Sequence, residues 1–174
     1  MNEKIVKLAE KYHAGQIREG AEKLPYIVHP QAVVRMLLAW GEPESSPAVA
    51  AAWGHDLLED TAVTEAEIRE AAGDRVLAMI KLLTRPGGME KSLYIRVVAE
   101  RGDREVLLVK LADRICNSRD RVKWKGAGDA LTYFHRADCV HEAVAALPAD
   151  PVVCNALAEW RQLECELADL IRGR

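Results

Sequence analysis

The sequence lacks an excess of charge of either sign, a long apolar run, a C-x-x-C pair and any sustained alternation of polar and apolar residues. With 24 Lys and Arg against 27 Asp and Glu, the net charge is -3. That balance argues against nucleic acid as the main partner, because a duplex is held by a basic surface; a small polyanionic ligand remains compatible. No apolar run approaches the length of a membrane span, and Met1-Asn2-Glu3-Lys4 opens an amphipathic helix rather than a signal peptide. No membrane partner is expected, and an intracellular, cytoplasmic protein is. Cys116, Cys139, Cys154 and Cys165 are far apart and sit in apolar helical stretches, which predicts free buried thiols rather than disulfides or a zinc site. Without period-two alternation between hairpin turns, a sheet is unsupported. There is no internal repeat and no low-complexity tract.

What is present reads as helix. Of 174 residues, 49% are hydrophobic and 29% charged, the balance of an ordinary folded chain. One domain over 1–174 is expected, with its core in about 1–147 and a last helix over about 152–172. Ile5, Val6, Leu8, Ala9 and Tyr12 follow the amphipathic pattern of a helix over 3–14 that Gly15 ends. Residues 16–28 form a loop delivering His29, which should be extended because Pro30 follows it. Helices are predicted over 31–40 and from Pro47, with Ser46 as its cap, to Asp60. Thr64 and Glu67 cap a short helix ending near Gly73, and 74–83 and 90–100 follow. The stretch 104–119 is apolar nearly all round and should lie in the middle of the fold. After a polar loop over 123–129 come helices over 130–147 and 152–172. In the last one, a stripe of Val153, Leu157, Trp160, Leu163, Leu167 and Leu170 reads as core packing. The fold class is all-α, a bundle of nine or ten helices.

Two polar anomalies interrupt this apolar pattern. The run Ala48 to Ala52 leads into Trp53-Gly54-His55-Asp56-Leu57-Leu58-Glu59-Asp60-Thr61. On a continuous helix at about 100° per residue, His55, Asp56, Glu59 and Asp60 share one wedge of roughly 140°. Ionisable groups on such a helix must be paired, neutralised or bound to a cation. The second anomaly is Asp113, a carboxylate in the most hydrophobic helix, with Lys110, Asn117 and Asp120 on its face. Together with His29, the set His29, His55, Asp56 and Asp113 offers two imidazoles and two carboxylates from three segments. Mixed nitrogen and oxygen donors suit Mn, Fe, Co, Ni or Zn better than Ca or Mg. The absence of thiolates favours a catalytic site over a closed structural one.

The order H…HD…D resembles that of the HD-domain metal-dependent phosphohydrolases, which are all-helical. Longer strings sharpen the resemblance: His13-Ala14-Gly15-Gln16-Ile17-Arg18, Pro25-Tyr26-Ile27-Val28-His29-Pro30, His55-Asp56-Leu57-Leu58-Glu59-Asp60-Thr61 and Lys110-Leu111-Ala112-Asp113-Arg114-Ile115-Cys116-Asn117-Ser118-Arg119-Asp120. These are similar to the alarmone hydrolase branch, the hydrolase domain of RelA/SpoT-type enzymes and their small stand-alone relatives, over roughly the first 145 residues. The resemblance implies a single-domain HD bundle and hydrolysis of guanosine 3′,5′-bispyrophosphate at the 3′ position, with release of pyrophosphate and manganese as the usual metal. It implies His29, His55, Asp56 and Asp113 as ligands, Glu59 and Asp60 as the catalytic acidic pair, and Arg18, Asn117 and Tyr133 as substrate contacts. With the chain ending at Arg174, no synthetase domain is expected; no sequence feature fixes an oligomeric state.

Three positions depart from the family pattern. Glu19-Gly20 follows Arg18 where a lysine and a small polar residue are common, Gly54 replaces a bulky apolar residue, and the loop over 123–129 is shorter. Two alternatives accordingly stand beside the alarmone reading. One is an HD phosphohydrolase of another nucleotide such as NADPH, distinguished by release of orthophosphate; the other is a sensor that binds a nucleotide without turnover.

Overall fold

A computed structural model describes residues 2–20 and 22–173. Met1, Ala21 and Arg174 lie outside the described residues, and with them the first residue of the N-terminal stretch and one position of the loop over 16–28. The described chain is all-α, with helices α1 (Glu3–Tyr12), α2 (Val28–Trp40), α3 (Pro47–Gly54), α4 (Leu57–Asp60), α5 (Glu65–Leu83), α6 (Lys91–Arg101), α7 (Arg104–Lys125), α8 (Ala127–His135), α9 (Asp138–Ala145) and α10 (Pro151–Arg172). No described helix is long and apolar enough to cross a membrane.

Helix α7 is the axis of the bundle. It starts where the Asp103 carboxylate accepts from the Val106 amide, and it packs against α2, α3, α5, α6, α8, α9 and α10. That explains its nearly uniform apolar surface, and it places Asp113 at the centre of the fold. Around it, the alanines of α3 are all buried; side chains this small let α1, α2, α5 and α7 approach closely. The α10 stripe is core packing at Val153, Trp160, Leu163 and Leu167, while Leu170 is exposed.

Local signals that the sequence displays clearly are realised. Ser46 caps α3 with Pro47 in its first turn, Thr64 and Glu67 form a reciprocal capping box on α5, and Gly73, at φ 86°, kinks α5 where two helices were expected. The segment between α1 and α2 folds back on itself through an isolated antiparallel bridge between Ile17 and Pro25.

Other boundaries differ. His29 is helical, not extended: α2 begins at Val28, and Pro30 falls in a first turn whose amides have no intrahelical partners to lose. The helix expected to run through to Asp60 breaks after Gly54, because the His55 imidazole Nδ1 takes the Ala52 carbonyl at 2.7 Å and the ladder restarts only at Asp60 N to Asp56 O. Most of the loop expected over 123–129 is helix, hinged at Gly126 with φ 84°. The helix expected over 130–147 is divided at Arg136 and Ala137 into α8 and α9, which lets its halves pack separately on α10 and α6. The cysteines are free, but Cys154 and Cys165 are exposed and Cys139 half-buried; Cys116 alone is buried, where desolvation pushes its thiol pKa up to about 12.

Gly54 has a packing reason. A Cβ there would lie 2.6 Å from Ile80 Cδ1 and 3.4 Å from Ile5 Cδ1, so two isoleucines from α5 and α1 fill the space that a larger residue would occupy.

Candidate metal centre and nucleotide cleft

Three helices aim donors at one point. His29 sits in the first turn of α2, His55 caps the C-terminus of α3, and Asp113 lies midway along α7; all three are buried. His29 Nε2 is 3.2 Å from His55 Nε2, 3.2 Å from Asp113 Oδ1 and 3.6 Å from Asp56 Oδ2. His55 Nε2 is 3.3 Å from Asp56 Oδ2 and 3.8 Å from Asp113 Oδ1. His29, His55 and Asp113 each place a donor atom within 4.8 Å of the others, and Asp56, partly exposed, closes the set.

The donor chemistry fits a divalent cation. The Ala52 carbonyl can only accept, so it fixes the His55 proton on Nδ1 and leaves Nε2 as a lone pair facing the cluster. Burial lowers the pKa of His29 against the pull of Asp113 and Asp56, which favours a second neutral imidazole. Burial would raise the Asp113 carboxyl, but the Lys110 ammonium beside it holds it well below the usual range. Burial likewise opposes ionisation of Asp56, and the hydrogen bond from the Tyr26 hydroxyl favours it. Two facing nitrogen lone pairs and two carboxylates are mutually repulsive unless a cation lies between them.

Supporting contacts orient these donors. Lys110 Nζ donates to Asp113 Oδ2 at 3.0 Å, and that carboxylate holds the buried lysine charged, its pKa above the ordinary value despite burial. Asn117 Nδ2 donates to Asp113 Oδ1, and its own carbonyl accepts from Arg18 Nη2. The Arg18 Nε donates to Asp120 Oδ2 at 2.9 Å. Tyr26 joins the other side, with its hydroxyl 2.8 Å from Asp56 Oδ2 and 2.6 Å from Asp60 Oδ2. Gln16 Nε2 reaches the Asp60 carbonyl at 2.9 Å.

Beside the cluster opens a cleft of about 620 Å³, lined by residues of the 16–26 hairpin, α4, α6, α7 and α8. Arg18, Asp60, Asn117 and Tyr133 all line it, as does Glu19. Glu59 does not: its carboxylate accepts from the Arg85 amide at 3.0 Å and lies 3.8 Å from Arg85 Nε. The break after Gly54 removes the common wedge in which all four acidic and imidazole groups were expected to converge.

Tyr26, Lys91 and Arg121 are cleft or cluster residues that sequence reasoning did not assign. Tyr26 stood inside one of the family-like strings, which was its signal. Lys91 and Arg121 carried none, since a lone cation at a helix start or on a helix face is ordinary surface composition. Here Lys91 is exposed at the mouth of the cleft, its pKa lowered by partial desolvation and by Arg114, Lys110 and Arg85.

Comparison with known proteins places this geometry in a family. The family model described as HD domain matches residues 6–131. The chain belongs to the HD-domain family. Among proteins similar to this HD-domain chain is a Xenopus tropicalis guanosine-3′,5′-bis(diphosphate) 3′-pyrophosphohydrolase MESH1, 36% identical over 115 residues, 64% of each chain. A Haemophilus influenzae guanosine-3′,5′-bis(diphosphate) 3′-pyrophosphohydrolase is 35% identical over 121 residues, 64% of this chain and 17% of that protein. The matched stretch thus spans less than two thirds of these relatives. In fold, the HD-domain chain resembles the solved structure of a metazoan ortholog of SpoT that hydrolyses ppGpp, with a TM-score of 0.80 at 22% identity, covering 95% of this chain and 94% of that one.

Proposed function

We propose that this HD-domain protein hydrolyses guanosine 3′,5′-bis(diphosphate) at the 3′ position, releasing pyrophosphate, with His29, His55, Asp56 and Asp113 holding a divalent metal. The observation that carries the reading is the convergence of four donors from three segments beside a cleft lined by Arg18, Asn117 and Tyr133. Relatives named for this reaction support it. Manganese is the proposed ion, with Fe, Co, Ni and Zn fitting the same donors. A cytoplasmic location is part of the same proposal.

A divalent ion in this site supplies Lewis acidity toward a phosphoryl oxygen and acidifies water toward neutral pH. The protein's own groups do the rest. Asp60, held by Tyr26 at the edge of the cleft, accepts a proton from the attacking water or passes one to the leaving group. Burial and the two carboxylates raise the Tyr26 pKa far above its ordinary value, so the hydroxyl remains a donor throughout the working pH range. Glu59 serves as general base once it leaves Arg85. The side-chain pair is more than a third exposed on both sides and contributes about 1 kcal/mol or less, so the bond from the Arg85 amide is the main contact to be exchanged. Arg18 and Asn117 meet the nucleotide, and Tyr133 forms the opposite wall.

The test incubates manganese-loaded protein with guanosine 3′,5′-bis(diphosphate) and, separately, with NADPH, and resolves the products by anion exchange. Guanosine 5′-diphosphate plus pyrophosphate is the expected result. Glu19, an acid lining the cleft, favours the second reading, a different nucleotide. Orthophosphate from NADPH alone would establish that reading, and binding without turnover would identify a sensor.

A further inference from the structure

We propose that Arg121 determines the specificity of the cleft by binding the phosphate chain at the end of the nucleotide that is not cleaved. This inference rests on the nucleotide hydrolase reading and adds a residue and a ligand group to it.

The two walls of the cleft differ in charge. On the hairpin wall, Arg18 is already engaged by Asp120 and Asn117, and its neighbour Glu19 is an exposed acid lining the cleft. A second phosphate chain on that side would meet a carboxylate. On the other wall, Lys91 and Arg121 line the cleft with Tyr133 and Trp124. The Arg121 guanidinium carbon lies 4.8 Å from the Tyr133 ring centroid and 5.8 Å from that of Trp124. Beneath the same tyrosine, Arg114 sits 4.0 Å from the centroid and donates to the Tyr133 carbonyl at 3.0 Å. Tyr133 is thereby flanked by guanidinium groups, and Arg121 is held near two aromatic rings.

Arg121 uses only part of its hydrogen-bonding capacity. Its Nε donates to Asp129 Oδ1, and among the described residues its two Nη groups make no protein hydrogen bond. A planar guanidinium with free Nη groups matches two oxygens of a phosphate, which a lysine cannot do in the same way. Asp129 is 44% exposed, so its pairing with Arg121 is a screened surface contact that a dianionic phosphate can outcompete or share.

Arg121 lies eight residues beyond Asp113, about 12 Å along the helix axis from Cα to Cα. Its guanidinium stands on the wall it shares with Tyr133 and Trp124, and among the described residues it bonds to none of His29, His55, Asp56 and Asp113. We assign to it the uncleaved phosphate chain rather than the reacting one.

Guanosine 3′,5′-bis(diphosphate) and guanosine 3′-diphosphate carry the same scissile group, and only the first has 5′ phosphates. Arg121→Gln is expected to raise KM for the first by about ten- to a hundredfold, the loss of charge-assisted hydrogen bonds, and to leave KM for the second within about twofold. An equal rise for both substrates, or no rise, overturns the assignment. Calorimetric titration with guanosine 5′-diphosphate and with guanosine reads the same contact without turnover. The wild-type protein should bind the diphosphate at least about tenfold more tightly, and Arg121→Gln should erase that preference. A wild-type protein without the preference, or a variant that keeps it, overturns the role of Arg121 whatever the hydrolysis assay shows. If the preference depends on Arg121 while neither substrate is cleaved, the phosphate site stands and the hydrolase reading falls.

Discussion

The floor of the site and its rim are held by different forces. The floor, His29, His55 and Asp113, is buried and comes from three helices that pack against one another, so the core that stabilises the fold also fixes the donors. The rim, Arg18, Glu59, Asp60 and Arg121, is held by polar pairs at or near the surface: Arg18 with Asp120, Glu59 with Arg85, Asp60 with Tyr26, Arg121 with Asp129. Pairs of this kind contribute little to stability individually, and their groups are free to exchange partners with a ligand. The floor must not move when a metal binds; the rim must.

The largest effect should come from breaking the floor. Asp113→Ala removes a donor and leaves Lys110, itself nearly buried, without its carboxylate. Metal retained after desalting should fall from one equivalent to none, activity should reach background, and denaturant unfolding should show a loss of about 3–5 kcal/mol. Full metal retention would remove Asp113 from the ligand set and with it the distinction drawn for the floor.

At the rim, Glu59→Ala should leave stability and metal content unchanged while kcat falls by about 10²-fold, the size expected for loss of a general base. Steady-state kinetics together with metal analysis checks both halves. Wild-type turnover would mean that the Arg85-bound position of Glu59 is its working one and that Asp60 acts alone.

Between these in kind is Gly54→Ala, a change in the packing under the floor. The added methyl would contact Ile80 Cδ1 at 2.6 Å, and Ile80 is fully buried. Overpacking should cost about 1–3 kcal/mol, seen as a lower Tm, and should disturb the adjacent His55. An unchanged Tm would show that the floor can yield.

The same division separates what the sequence made legible from what it did not. The floor could be read because its residues violate their surroundings: an Asp inside an apolar helix and a His-Asp pair after a run of alanines are conspicuous against a 3.6-residue pattern. Caps at Ser46 and Thr64 were equally plain, being local chemistry. What escaped was decided by tertiary contacts. A continuous helix through Asp60 was reasonable from propensity, but His55 spends its Nδ1 on the Ala52 carbonyl and the chain turns there, sending Glu59 toward Arg85. The helical hinge at Gly126 and the division between α8 and α9 follow from how those pieces meet α10, α6 and α7, which no local window contains. Arg121 and Lys91 matter only through the wall they share with Tyr133, and that adjacency has no sequence period.

Tyr26 tests whether floor and rim are coupled, with the smallest expected change. Its single hydroxyl proton lies within hydrogen-bond distance of Asp56, the proposed ligand beside the floor, and Asp60, a rim acid, so it biases which carboxylate stays oriented. Tyr26→Phe keeps the ring, including its stacking on His13 at 4.7 Å, and deletes only the donor. The loss should be about 0.5–1.5 kcal/mol, at most about tenfold in kcat/KM, with a modest weakening of metal affinity measured by competition with a chelator. Because the hydroxyl pKa is raised far above neutral, the donor is present at every accessible pH, and the ratio of variant to wild-type activity should stay level between about pH 6 and 9. A drop in activity with metal affinity unchanged would confine Tyr26 to the rim and leave Asp56 oriented by the histidines alone. A drop in both would show one hydroxyl tying the rigid half of the site to the exchangeable half.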